Sequence, residues 1–204
     1  VSDFSIAGGG ASVKAYGFTA ANNAGTDITA SGTTNTKGSY VELVSAANNT
    51  TPISSMFDIG FDLVTGTQAD FLVDIAIGGA GSEVDVIENI WIKTNTIDGT
   101  SAVFQSLSEL PQGVRVSARC QSDVSSGVIG VYLMIGSRSL AQPSRLQRST
   151  TYGANTSNTD GTVVARSTAG TFGSWVEIVA STTNRIKGFI VSFHRDGVSW
   201  TNGM

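Results

Sequence analysis

Gly38-Ser39-Tyr40-Val41-Glu42-Leu43-Val44-Ser45 returns 135 residues later as Gly173-Ser174-Trp175-Val176-Glu177-Ile178-Val179-Ala180. Every change between the two is conservative. Self-similarity at a long fixed offset is the mark of a chain built from repeated units. The match runs outward in both directions. Tyr16-Gly17 and Gly25-Thr26 recur as Tyr152-Gly153 and Gly161-Thr162, and Phe57, Ile59 and Phe61 recur as Phe189, Val191 and Phe193. Small drifts in the offset are those of single-residue insertions and deletions in turns.

The two copies are unequal. The first continues through several more apolar segments after Phe61, whereas the match in the second stops at Phe193, close to Met204. Part of a sandwich exposes core surface and unpaired strand edges, which is unstable and sticky. The reading is therefore of a polypeptide that runs on beyond Met204, with donation of the missing strands by another chain as the alternative. The expected organisation is an N-terminal arm or tether over 1–15, a first module over 16–136, a linker over 137–151, and the first part of a second module over 152–204. Pro143 and the cluster Arg138, Arg145 and Arg148 set the linker apart, and Pro143 interrupts the one short helical candidate near Leu140–Leu146.

Within the first copy apolar residues recur with a period of two, the pattern of a half-buried antiparallel strand. Phe57, Ile59, Phe61 and Leu63 alternate with Asp58, Gly60 and Asp62. Phe71, Val73, Ile75 and Ile77 oppose Leu72, Asp74, Ala76 and Gly78. Val84, Val86, Ile90 and Ile92 line up around Glu88, Val114 to Cys120 alternate with Arg115, Ser117 and Arg119, and Ile129, Val131, Leu133 and Ile135 close the set. Val41–Leu43 and two shorter segments near Val13–Phe18 and Thr26–Ala30 bring the expectation to about eight strands. Turn residues punctuate them at Asn48-Asn49, Thr65-Gly66, Gly78-Gly79-Ala80-Gly81, Asp98-Gly99 and Pro111-Gln112-Gly113. The expected fold is all-β: an antiparallel β-sandwich, jelly-roll-like, in tandem modules with the second incomplete.

Composition narrows the function. Charged residues are 14% of the chain, against about 25% in ordinary globular proteins, and Gly, Ser, Thr and Asn take their place. The net charge is −4 with no basic block, which disfavours a nucleic-acid surface, since that requires clustered Lys and Arg. Cys120 is the single cysteine and His194 the single histidine. Disulfides within the chain, Cys-based zinc sites and most acid–base catalysis are thereby excluded, and no cofactor or metal is expected. No apolar run reaches the length of a membrane-spanning helix.

The individual motifs read as structure more readily than as chemistry. Asp58, Asp62 and Asp74 suggest a glycosidase carboxylate pair, but outward strand positions ordinarily carry solvating charge, and the repeat replaces Asp58 by Ile190 and Asp62 by His194. Glu42 persists as Glu177 between an aromatic residue and a valine. A retained carboxylate there suits a cation, an adjoining subunit or a cross-strand pair with Arg115 or Arg119. Gly8-Gly9-Gly10 and Gly78 to Ser82 lack the helix start and the lysine of a phosphate loop. Cys120 falls on an apolar face, where a thiol acts as a small hydrophobe. Trp91, Trp175 and Trp200 suit a core, a subunit interface or a sugar-stacking platform. No catalytic residue is assigned, and Tyr40, Glu42, Trp91, Trp175 and Glu177 are the candidate interface or ligand contacts.

The tract Leu110-Pro111-Gln112-Gly113-Val114-Arg115-Val116-Ser117-Ala118-Arg119-Cys120-Gln121-Ser122 resembles a strand of tailed-bacteriophage virion proteins, in which a Pro-x-Gly turn leads into an Arg-apolar-x-Ala-Arg-x-Gln strand. The Gly-Ser-Tyr/Trp-Val-Glu strand and the turn from Ile77 to Glu83 resemble parts of the same modules. The resemblance implies a non-enzymatic β-sandwich component of a virion, of fibre, tail-tip or capsid-decoration type, serving assembly or host-surface attachment. It implies other virion proteins and copies of itself (a homo-oligomer, in one form a trimer) as partners, with a host surface glycan as a further one, and assembly in a bacterial cytoplasm. The alternative reading is a secreted carbohydrate-binding or adhesin module located outside the cell. A strip of exposed aromatic residues beside Asn, Asp or Gln would distinguish it.

Overall fold

Alternating segments that each have one apolar face must bury it against another sheet, and two sheets are what form. A computed structural model of the chain describes residues 3–5, 12–17, 25–50, 56–63, 69–93, 102–106, 110–136, 149–154, 161–165, 167–168 and 170–182. The described strands are β1 (Asp3–Ser5), β2 (Ser12–Tyr16), β3 (Thr26–Thr29), β4 (Val41–Val44), β5 (Met56–Leu63), β6 (Asp70–Ile77), β7 (Val84–Lys93), β8 (Ala102–Ser106), β9 (Val116–Ser122), β10 (Val128–Gly136) and β11 (Ser149–Thr150). One sheet has the order β1-β2-β10-β5-β8, with β3 also paired to β10, and the other has the order β11-β7-β6-β9-β4.

The pairing is nested: β6 with β7, β5 with β8, β4 with β9 and β2 with β10. This is a long antiparallel hairpin wrapped into two sheets, which is the jelly roll. The expected all-β sandwich is the fold observed. β2 and β3 lie end to end along one side of β10: Tyr16 pairs with Leu133, and Thr26 with Val131.

The core lies between the sheets. Ile129, Val131, Leu133 and Ile135 of β10, with Ile59 and Phe61 of β5 and Ile28 of β3, face Phe71, Val73 and Ile75 of β6, with Val116, Ala118 and Cys120 of β9. All of these are fully buried, and burying an Ile or Phe side chain contributes about 1.5–3 kcal/mol. The alternation read along β6, β9 and β10 is therefore the alternation of the core. On the opposite face of the β5–β10 pair Gly60 stands opposite Tyr132. The tyrosine ring occupies the volume a Cβ at Gly60 would need.

Several expectations give way to the structure. In β7 the apolar series slips, because a bulge interrupts the β6–β7 register between Val73 and Ala76 and Asn89 adopts a left-handed φ of 58°. Ile87, Ile90 and Ile92 consequently face the core, while Val84 is exposed. Within the expected arm, β1 and β2 are sheet strands. β11 lies at the expected linker's end and pairs in parallel with β7; residues 137–148, including the helical candidate, lie outside the described residues. β8 escapes pattern reading because five residues with two large apolar side chains are too short to show a period. The strand predicted over 173–180 is not formed: no described residue after Thr150 belongs to a strand.

Candidate interaction surface

The second sheet carries its charges on the face away from the core. Asp74, in the middle of β6, is flanked by β9 and β7, and the expectation that it merely solvates the surface is wrong. Its side chain is almost wholly buried. Oδ1 accepts from Lys37 Nζ at 2.8 Å and from the Asn89 backbone N–H at 2.9 Å, while Oδ2 accepts from Arg119 Nε at 2.9 Å. Burial pushes the Lys37 ammonium below its ordinary pKa, a shift that Asp74 opposes. The bulge at Asn89 thus has a local reason: it turns a backbone donor onto the carboxylate.

From Asp74 the network runs outward. Arg119 also bonds Asp85 Oδ2 at 3.0 Å, its guanidinium lies 4.5 Å from the centroid of the Tyr40 ring, and Tyr40 Oη donates to Asp85 Oδ1 at 2.6 Å. Burial and the adjacent Asp85 raise the Tyr40 phenol well above its usual range, so it stays a donor. A separate cluster joins Arg115 to Glu42 and Glu83, both at 2.9 Å. The cross-strand pairing expected for Glu42 is therefore formed with Arg115. Asn49 locks the same end of the module, since its buried amide donates to the carbonyls of Pro111 and Val114, each at 2.9 Å.

Of the five candidate contact residues, Tyr40 belongs to the Asp74 network and Glu42 to the Arg115 cluster. Trp91 stands opposite Leu72 in the same sheet and is half-buried. Trp175 is fully exposed and Glu177 exposed, both beyond the last described strand. The structure therefore gives Tyr40 and Glu42 each an arginine partner, Arg119 and Arg115, and leaves Trp175 and Glu177 exposed. Sequence reading missed Lys37 and Asp85. The signal that could have found Asp85 is its alignment across β6 with Ala76, next to Asp74 and Arg119; Lys37 lies in a connection and carried no periodic signal.

Cys120 packs in the core with its thiol 3.6 Å from the Ile28 carbonyl, and burial pushes its pKa up to about 12. Among the described residues no group of three or more His, Cys, Asp or Glu could hold a metal ion, and no helix is long and apolar enough to cross a membrane. His194 and Trp200 lie outside the described residues.

No protein-family model matches the chain, and no curated protein matches its sequence. A solved structure described as that of infectious bursal disease virus Gx strain is similar at a TM-score of 0.28 and 10% identity, over 72% of this chain and 35% of that one. The chain thus spans about a third of that chain's length, and a likeness of this size assigns no function.

Proposed function

We propose that the chain is a non-enzymatic structural protein of a bacteriophage virion, a fibre, tail or capsid-decoration component that assembles with copies of itself and with other virion proteins. The observation that carries the reading is where the resemblance falls. The tract from Leu110 to Ser122 is the turn and strand β9, the framework of the second sheet, and its Arg115 and Arg119 are spent on four carboxylate contacts inside the module. A motif used up in this way serves rigidity, which a particle component needs. Jelly rolls serve both viral capsids and lectins, so the carbohydrate-binding alternative must be weighed. Against it, Tyr40 has its ring under Arg119 and its hydroxyl on Asp85, an arrangement unlike an open sugar-stacking platform.

The test is mass spectrometry of gradient-purified particles from the source that encodes the chain, with sedimentation of the isolated protein and a glycan array. Recovery in particles at fixed stoichiometry and a defined homo-oligomer are expected. Absence from particles together with saturable glycan binding would overturn the reading in favour of the lectin-like one.

A further inference from the structure

The short strand at the end of the linker is a copy of an earlier one. Tyr152-Gly153 repeats Tyr16-Gly17, so Ser149, Thr150 and Thr151 stand where Val13, Lys14 and Ala15 stand in β2. The copy has changed partners. β2 runs antiparallel to β1 and β10, whereas β11 runs parallel to β7, on the side away from β6. Its chemistry has changed as well, from valine, lysine and alanine to three hydroxyl residues. Ser149 pairs with Ile87 and Thr150 with Glu88. Thr150 Oγ1 donates to Glu88 Oε2 at 2.7 Å, and the Thr151 N–H donates to the Glu88 carbonyl at 3.1 Å.

β7 is ten residues long, yet β11 pairs only with Ile87 and Glu88. The bulge accounts for that position. Between the pairs Ile75–Ile87 and Val73–Ile90, β6 has one residue, Asp74, and β7 has two, Glu88 and Asn89. The extra residue, with Asn89 at a φ of 58°, interrupts the even row of donors and acceptors along the edge, and an added strand stops there. A side chain in the left-handed region is strained and persists where its surroundings hold it. Here the hold is Asp74, whose Oδ1 accepts the Asn89 N–H at 2.9 Å. Lys37 and Arg119 fix Asp74 in turn. One line of contacts thus runs from the buried ion network through Asn89 and Glu88 to the first residues of the second copy.

We propose that the bulged edge of β7 is the docking site for the opening strand of the second copy, and that Asp74 is the positioning residue that shapes it. Residues 149–151 are a latch between the copies. The site takes a short extended segment in parallel, with a hydroxyl residue opposite Glu88. The first module's own β2 does not compete for it, because β1 and β10 occupy both edges of that strand. Two residue pairs and one side-chain bond make the latch weak beside the central strands, and weak elements open locally while the rest of a domain stays folded. Opening the latch frees the second copy from the first module without unfolding it. The proposal does not depend on the virion reading.

The test is amide hydrogen exchange of the full chain, resolved by NMR at Thr151 and, for reference, along β6 and β9. Exchange at Thr151 should be slowed at least about tenfold relative to an unstructured peptide, and less than along the central strands. Glu88→Ala, which leaves the bulge in place and removes the acceptor of Thr150, should reduce that protection by at least about threefold. Asp74→Ala should abolish protection at Thr151 while β6 and β9 stay protected. A pair of variants at Asn89 gives a reading that does not depend on Asp74→Ala folding, since both keep the side chains of the ion network. Asn89→Gly adopts the left-handed backbone freely and keeps the N–H, so protection at Thr151 should stay within about twofold of the unaltered chain. Asn89→Val disfavours that backbone, and protection at Thr151 should be lost. An unprotected Thr151 in the unaltered chain overturns the docking site. Equal protection in Asn89→Gly and Asn89→Val, or unchanged protection in folded Asp74→Ala, overturns the positioning role.

Discussion

Replacing Asp74 by alanine tests whether the buried ion network is structural support or surface decoration. The substitution removes the acceptor for Lys37, Arg119 and the Asn89 N–H. Hydrogen bonds to charged groups contribute about 1.5–3 kcal/mol each, but three such terms do not simply add. The Lys37 and Arg119 side chains remain 21% and 29% exposed and regain some water, and Arg119 keeps Asp85. A net loss of about 3–4 kcal/mol follows, within the range of about 3–5 for breaking a buried pair. With a urea slope of about 2 kcal/mol/M, the unfolding midpoint followed by far-UV circular dichroism should fall by about 1.5–2 M. Arg119→Ala alone should cost less, about 2 kcal/mol, because Lys37 stays on Asp74. The double variant should fall short of the sum by at least about 1 kcal/mol. A loss under about 1 kcal/mol for Asp74→Ala, the range of exposed ion pairs, would refute the reasoning.

Three further outcomes are expected. Gly25→Ala should destabilise the first module by more than about 2 kcal/mol, from its left-handed backbone and the approach of Val131, whereas Gly161→Ala should leave that module's melting temperature unchanged; equal effects in calorimetry would refute the contrast. Gly60→Ala should cost about 1–3 kcal/mol by displacing the Tyr132 ring, and Tyr132→Ala in the same chain should recover part of it in urea melts. Cys120 titrates near 9 when unfolded and at about 12 when folded. A group whose folded pKa is raised contributes stability in full below its unfolded value and loses it as pH rises through the folded one. Stability should therefore fall by up to about 1.4 kcal/mol per pH unit between 9 and 12, and Cys120→Ala should flatten that slope.

Much of this architecture is legible in the residues, for reasons that can be named. β6, β9 and β10 are long, and their inner faces are continuous, so a period of two shows through. β7 misleads because a bulge is a local choice dictated by Asp74's need for donors, and nothing in Val84 to Ile92 announces it. β1, β8 and β11 are too short to carry a period. At the candidate surface the Glu42–Arg115 pair follows from cross-strand logic, but Asp74 looked like a solvating charge because its cover comes from Lys37, contributed by a connection. The repeat exposed the second copy in sequence; that its counterpart of β4 is not a strand is visible only in the backbone.

Nested pairing has a consequence for how the chain is made. β6 and β7 are joined by a six-residue turn and can pair as soon as both are synthesised, while Tyr16 must wait for Leu133. At about 5–20 residues per second, β2 waits on the order of ten seconds on the ribosome before its partner exists. Closure of so long a loop comes late and slowly. During that interval Tyr16, Ile28, Leu43 and Val44 are as open as Tyr152, Ile178 and Val179 are in the tail. The stretch from Ala20 to Thr51, crowded with Asn, Thr, Ser and Gly, suits such a wait: it keeps a nascent edge hydrated until the last strand arrives.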